Sequence, residues 1–372
     1  MRRYIGKLIC IGLGMLLLFG AVGCRPEDTD SEGIVEVIPG MEGEDTITAV
    51  LDPSGGNGQQ TLPSGSTAQG GTETRSTPQA TFGPTRPPIE GDVSTDRFPN
   101  YDTGADADWS YQSDELRVAI HKVEDEDLSV VYYVADVWIR NINSFRMGFG
   151  HGEFNSGRED PEEFARREHA IFGVSGTMNS GLVIHNGEKI KNAESSDIAF
   201  RSGIVLIYRD GSVKTINRAK NQSFNYNNEK KKNGGIWQGF QFGPVVLQDG
   251  KIPSGLKKNE RHPRIIFGYC EPGHYVLVAV DGRTKTSIGM TEQEMGELMQ
   301  SLGCKDAMNL DGGTSAVMLF MGKTINIPSG KDVDGDGVAG RNIVDLLAFA
   351  EYDADGSAQD LSLVKPDKVY GE

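Results

Sequence analysis

Between Lys7 and Lys122 the chain contains no lysine, and Gly, Ser, Thr, Pro, Asp and Glu dominate residues 25–108. Runs such as Gly55-Gly56-Asn57-Gly58 and Pro84-Thr85-Arg86-Pro87-Pro88 carry almost no apolar surface. Such a segment cannot offset the conformational entropy lost on folding, so residues 24–108 are expected to form a disordered tether. A short apolar patch at residues 34–38 is assigned no structure. Every compact element must come from the remainder, about 260 residues, enough for one large domain or two small ones. The absence of an internal repeat or a second low-complexity linker favours one domain, placed at residues 109–355 with a short tail at 356–372.

The N-terminus indicates the compartment. Arg2, Arg3 and Lys7 precede an apolar stretch over residues 8–22, interrupted only by glycine and Cys10. The stretch is short for a membrane span, which needs about 20 apolar residues, and has charge on one side only, as signal peptides do. Ala21-Val22-Gly23-Cys24 resembles a bacterial lipobox, with Ala21 where leucine is usual. The resemblance implies removal of residues 1–23, lipid on the Cys24 sulfur, and a lipoprotein on the outer face of the bacterial cytoplasmic membrane. The alternative is an ordinary secretory signal followed by a chance cysteine.

Charge narrows the partners. The chain carries a net −16. Removing residues 1–23 takes away three basic and no acidic groups, leaving 34 against 53, a net −19. A chain this acidic repels nucleic acid, and any phosphate-bearing ligand needs a local basic pocket. Of four cysteines, Cys10 leaves with the signal and Cys24 is the lipidation site, so Cys270 and Cys304 remain. A disulfide outside the cell and a pair of buried free thiols are equally compatible with the sequence.

Apolar runs of strand length recur at residues 130–139, 170–174, 203–208, 265–269 and 275–280. Asn186-Gly187, Asp210-Gly211 and Asp249-Gly250 supply turns, and residues 182–190 read as a hairpin. Helices are few. Thr291 and Glu294 make a capping box, Met295, Leu298, Met299 and Leu302 form one apolar stripe, and Gly303 ends it. A second helix starts at Asp160-Pro161 and runs to about residue 167. The expected fold is a single strand-rich α+β domain with a mixed, twisted sheet and a few helices.

The informative chemistry lies in the C-terminal third. One strand ends in Asp281-Gly282-Arg283; after the Thr291 helix another, through Ala307-Met308-Asn309-Leu310, ends in Asp311-Gly312-Gly313-Thr314-Ser315. A strand-helix-strand unit predicts parallel neighbours with both clusters on one edge. Asp281, Arg283, Asn309 and Asp311 then converge, and the adjacent glycines let backbone amides approach a ligand. Taken singly, each Asp-Gly pair is more simply a turn.

In order and spacing these elements resemble the phosphodiester glycosidases of the uncovering-enzyme type, with their bacterial relatives labelled exopolysaccharide proteins. The resemblance rests on Arg264, Asp281-Gly282-Arg283, Ser287-Ile288-Gly289-Met290, the Thr291 helix, and Asn309-Leu310-Asp311-Gly312-Gly313 with Ser315. Phe242-Gly243-Pro244 and Arg341 through Val344-Asp345 add to it, so that it spans roughly residues 115–352. The chain departs from the pattern at Ser175-Gly176-Thr177, where many relatives have Asn-Gly-Asp or Asn-Gly-Gly, and at Thr314 and Ala316.

The resemblance implies a cell-surface hydrolase that releases a sugar from a sugar-1-phosphodiester in a glycan or wall polymer. Its leaving group, a phosphate monoester, is already a good anion, so a strong general acid is less needed than in ordinary glycosidases. Arg264, Arg283 and Arg341 are the expected phosphate ligands, with Ser175, Thr177, Gly312, Gly313 and Ser315 also on the substrate. Asp281 and Asp311 are candidates for general base, water positioning or oxocarbenium stabilisation, and Asn309 for orienting a hydroxyl. The changed Ser175 and Thr177 motivate an alternative, a non-catalytic phosphoglycan-binding surface lipoprotein. No cofactor is required. Asp332, Asp334 and Asp336 with Gly337 match the first half of a calcium loop, but Ile343 stands where the bidentate glutamate belongs. Ca²⁺ there, with Asp345 substituting, and a plain acidic turn are both readings of that stretch.

Overall fold

The computed structural model describes residues 89–93, 97–193, 201–330, 340–351 and 361–370. The signal segment 1–23, Cys24, the tether to residue 88 and the loop carrying Asp332, Asp334 and Asp336 lie outside the described residues.

The chain runs through β1 (Trp109–Gln112), β2 (Leu116–Asp125), β3 (Val130–Ile139), β4 (Phe145–Phe149), α1 (Pro161–Arg167) and β5 (Phe172–Ser175). It continues through β6 (Val183–His185), β7 (Glu188–Lys191), β8 (Gly203–Tyr208), β9 (Val213–Asn217), α2 (Tyr226–Glu229), β10 (Ile236–Phe242) and β11 (Val245–Leu247). The last third holds β12 (Arg264–Glu271), β13 (His274–Val280), α3 (Glu292–Ser301), β14 (Asp306–Asn309), β15 (Met318–Phe320), β16 (Lys323–Thr324) and β17 (Asp345–Phe349). Among the described residues three sheets result, in the orders β1-β2-β3-β13-β12-β14-β11, β7-β6-β10-β8-β9 and β16-β15-β5-β17-β4. The strand-rich α+β fold is the one expected, and its strand pairings are antiparallel.

Local chemistry explains most elements. The Asp160 side chain accepts from the amides of Glu162 and Glu163, and Pro161 opens α1 without wasting a donor. In α3 both halves of the capping box form: Glu294 N donates to Thr291 Oγ1 at 3.2 Å, and Thr291 N to Glu294 Oε2 at 2.9 Å. Met295 and Met299 then pack on Val246, Leu247 and Ile266 of the sheet below. The hairpin of β6 and β7 turns through Asn186 at φ 49° and Gly187 at φ 91°, both left-handed as the Asn-Gly pair requires. The four-residue α2, capped by Asn225, had no periodic signal to announce it.

One expectation about topology needs correction. β13 and β14 are parallel but not neighbours, because β12 lies between them and pairs antiparallel with both. The tight β12–β13 hairpin occupies one side of β12 first, so the α3 crossover delivers β14 to the other side. Both strands still end at the same edge, where the polar clusters emerge.

The three sheets share one core. Phe267 and Tyr275 of the first sheet, Phe240 of the second, and Phe145 and Phe349 of the third meet with ring centroids 4.8–6.2 Å apart. Aromatic pairs at such separations contribute beyond their buried area. The domain also starts earlier than residue 109. Phe98 is buried beneath the guanidinium groups of Arg117 (5.1 Å) and Arg140 (4.8 Å), and Ala107 is fully buried. At the other end Lys368 bridges to Ser110, Asp367 N donates to Ser110 O and Tyr370 stacks on Trp109 at 5.0 Å, so residues 367–370 pack on β1 rather than trailing as a tail.

Candidate active site

Four loops meet at the edge where β13 and β14 end. Asp311 N donates to Gly176 O at 3.0 Å, which joins the loop after β14 to the one after β5. Gly313 N donates to Pro263 O at 3.1 Å, which joins it to the residue before β12. Gly312 must be glycine, because a Cβ there would stand 2.5 Å from the Pro263 carbonyl oxygen. Gly313 takes φ 65° and lies under Arg283, whose Nη1 would be 3.4 Å from a Cβ at that position. Arg283 is itself left-handed at φ 57°, rare for a residue with a Cβ, and this backbone turn accompanies its reach over the glycine.

Asp311 is the carboxylate that the site presents. It is partly exposed, and its Oδ1 accepts from Gly312 N at 3.0 Å. Burial pushes its pKa up to about 6, and the charge of Asp345 adds to the rise. The Ser315 hydroxyl, the Gly312 amide and Arg341 pull the other way. The group is therefore ionised at neutral pH yet basic enough to take a proton. Partly exposed Arg341 acts on it directly, exposed Arg283 covers Gly313 of the same loop, and partly exposed Arg264 follows Pro263, to which that loop is bonded. Arg283 Nη2 donates to His262 Nδ1 at 3.1 Å. Burial, then Arg264 and Arg283, hold His262 below the usual imidazole range, which keeps it the neutral acceptor that this bond needs. Arg264 is anchored by Nε on Met290 O at 3.3 Å.

Asp345 organises the wall opposite. It is buried, and its Oδ2 accepts from Thr177 N (2.7 Å), Thr177 Oγ1 (2.9 Å) and Asn179 N (3.2 Å), while Oδ1 accepts from Met178 N (2.8 Å). Burial drives its pKa up against these donors. Met178 and Asn179, at φ 60° and 52°, are wrapped around the carboxylate. The sequence singled out Asp345 only as part of a motif and a spare calcium ligand. Oxygens ringed by N–H and O–H donors do not suit a cation, so Asp345 does not serve as a calcium ligand in this arrangement. Among the described residues no group of three His, Cys, Asp or Glu is placed to hold a metal.

Several expected substrate contacts turn inward. Ser175 and Thr177 are buried at 1% and 0% exposure, Ser175 Oγ accepting from Val317 N at 3.4 Å and Thr177 bound to Asp345. They shape the wall and do not line it. Asp281, 1% exposed, places Oδ1 on Asn326 Nδ2 (3.2 Å) and Ile327 N (3.0 Å). Its surroundings therefore differ from those of Asp311, although both head an Asp-Gly pair, and burial pushes its pKa up to about 6 as well. Asn309 is buried, its Nδ2 donating to Gly243 O at 2.8 Å beside the cis Gly243–Pro244 peptide. Ser315 is buried and serves Asp311. Of the three expected catalytic residues only Asp311 is open to a ligand. Among the described residues Asn309 Oδ1, Asn179 Oδ1, Asp281 Oδ2 and Arg341 Nε are buried polar atoms with no hydrogen-bond partner. Asn179, Asn326 and the role of Asp345 had no local sequence signature, since each is defined by what it meets across the fold.

A family model described as phosphodiester glycosidase matches residues 163–349. The SPbeta prophage-derived uncharacterized protein YomE of Bacillus subtilis (strain 168) is 28% identical over 209 residues, covering 53% of this chain and 30% of that protein. The N-acetylglucosamine-1-phosphodiester alpha-N-acetylglucosaminidase of Bos taurus is 27% identical over 194 residues, covering 51% and 32%. The chain thus spans about a third of the length of the curated relatives it matches. Among solved structures, the zebrafish N-acetylglucosamine-1-phosphodiester alpha-N-acetylglucosaminidase catalytic domain, auto-inhibited by its pro-peptide, superimposes with a TM-score of 0.50 at 19% identity. That match covers 64% of this chain and 83% of the zebrafish chain and speaks for a shared fold.

Proposed function

From the premise that the chain belongs to the phosphodiester glycosidase family, we propose that it hydrolyses a sugar-1-phosphodiester and that Asp311 is the catalytic base. The observation that carries this is an accessible carboxylate with its pKa near 6, within the field of Arg341 and on the loop that Arg283 covers. The guanidiniums bind the phosphate in a chain that is otherwise strongly acidic. Asp311 takes a proton from water as its oxygen bonds to the anomeric carbon. The C1–O bond to phosphate breaks, and the phosphate monoester leaves with the bonding pair. Because that product is a stable anion, no second carboxyl group is needed to protonate it, in contrast to the paired carboxylates of ordinary glycosidases. The substrate is a phosphodiester-linked glycan or wall polymer, reached from the outer face of the cytoplasmic membrane by a tether anchored through Cys24. These last points rest on the lipobox and the composition of residues 25–88.

The test is hydrolysis of an N-acetylglucosamine-1-phosphodiester by the full chain beside Asp311→Asn. Loss of the base lowers kcat by about 10²–10⁴-fold. Equal turnover by both proteins removes Asp311 from the role. Tight binding of phosphoglycan with no turnover by wild type, across several sugars, establishes the second reading, a binding lipoprotein. The burial of Ser175 and Thr177 favours that reading, since neither supplies the polar side chains that many relatives carry there.

A further inference from the structure

Away from the catalytic edge, Cys270 of β12 and Cys304, between α3 and β14, meet beneath the helix. Their sulfurs are 3.6 Å apart and both residues are buried. The meeting has a structural cause. Gly268 and Cys270 share one face of β12, two residues apart, and Cys304 Sγ would sit 2.9 Å from a Cβ on Gly268. The missing side chain at 268 is what lets Cys304 reach across toward Cys270. Lys305 N donates to Tyr269 O at 2.7 Å and Tyr269 pairs with Asp306, so the backbones are already joined directly beside the thiols.

We propose that Cys270 and Cys304 are a covalent modification site that closes to a cystine and ties the end of the α3 crossover to β12. A disulfide needs its sulfurs about 2.05 Å apart, so closure takes roughly 1.6 Å of approach shared between two short side chains. The pair is also chemically asymmetric. The contact between the two thiols lowers the Cys270 pKa, against burial and with help from His274, whereas Cys304 is held high by the same contact and by burial. His274 stacks on Trp138 at 3.8 Å and is paired with Asp136; burial opposes its charge, but the carboxylate outweighs it and raises its pKa. Cys270 is thus the attacking sulfur. Its thiolate displaces one thiolate from a small disulfide oxidant to give a mixed disulfide. Cys304, after losing its proton, displaces the second. Two protein thiols are oxidised, the oxidant gains two electrons, and two small thiols are released. The site is independent of the catalytic reading, because neither cysteine touches the Asp311 loop.

The test equilibrates the full chain with oxidised glutathione, blocks remaining thiols with N-ethylmaleimide in denaturant, and maps the peptides by mass spectrometry. The expected product joins the Cys270 and Cys304 peptides, and dithiothreitol separates them. Recovery of both cysteines as maleimide adducts, or as glutathione adducts never joined to each other, overturns the proposal. A second readout compares melting with and without dithiothreitol within each protein, so a variant that is merely less stable does not mislead. Wild type loses on the order of 10 °C on reduction, as expected for a cross-link closing a loop of this size, whereas Cys270→Ser shows no dependence on reductant. A joined peptide pair without that shift retains the cross-link and overturns the clamping of α3 to β12.

Discussion

Replacing Asp345 with asparagine separates the architecture of the site from its chemistry. The amide oxygen can keep the Oδ2 bonds from Thr177 N, Thr177 Oγ1 and Asn179 N, but its NH₂ then faces Met178 N–H, a donor against a donor. A hydrogen bond to a charged group is worth about 1.5–3 kcal/mol and a neutral one about 1 kcal/mol. One bond is lost outright and three are weakened, while removal of a buried charge, which the raised pKa of Asp345 shows to be costly, returns part of the loss. The net destabilisation is about 2–3 kcal/mol, or a fall in Tm of roughly 5–10 °C by scanning calorimetry. The pH profile supplies an independent check. Because the charge of Asp345 raises Asp311, neutralising it lowers the Asp311 pKa, and the acid limb of kcat/KM moves from about 6 to lower pH. A Tm within about 1 °C of wild type, or a limb moving to higher pH, refutes the assignment of Asp345 as the charged anchor of residues 177–179.

Three further outcomes follow from the geometry. Gly312→Ala drives a Cβ to 2.5 Å from Pro263 O, a backbone atom that cannot swing away, so urea titration should show about 1–3 kcal/mol lost and turnover should fall with the displaced Asp311. Asp281→Asn keeps an acceptor for Asn326 and Ile327 and removes a charge. Since the folded pKa of Asp281 is about 6 against 3.8, the folded protein binds a proton that the unfolded chain releases, and its contribution to stability falls as pH rises through that window. The variant should therefore gain on the order of 2–3 kcal/mol at pH 8 relative to wild type, gain little near pH 4, and keep its kcat within a few fold. Arg283→Ala should raise KM for a phosphodiester about 10–100-fold, and an unchanged KM removes Arg283 from the phosphate site.

Much of this protein was legible before folding was considered. The strand at residues 130–139, the capping box at Thr291, the proline-led start of α1 and the Asn186-Gly187 hairpin are all present as read. Each depends on residues within a few positions of one another, where side-chain spacing and cap chemistry act directly. The family motif was legible too, because its glycines and charged residues hold a fixed order. Roles within the motif were less so. Asp281 and Asp311 both sit before glycine at a strand end, yet one is sealed beneath Asn326 and Ile327 and the other is partly exposed in the field of Arg341. Ser175 and Thr177, read as hydroxyls for a substrate, spend themselves on Val317 and Asp345.

By itself the sequence determined which segments become strands and helices, and which polar clusters occupy the ends of strands. Hydrophobic period, turn residues and caps are local quantities, and they act the same way in any surroundings. The tertiary structure decided that β12 separates β13 from β14, that Asp345 is ringed by four donors, that Cys270 meets Cys304, and that Asp311 is the carboxylate left open. Burial and hydrogen-bond satisfaction set a side chain's pKa and reach, and both depend on atoms that come from distant parts of the chain only once it has packed.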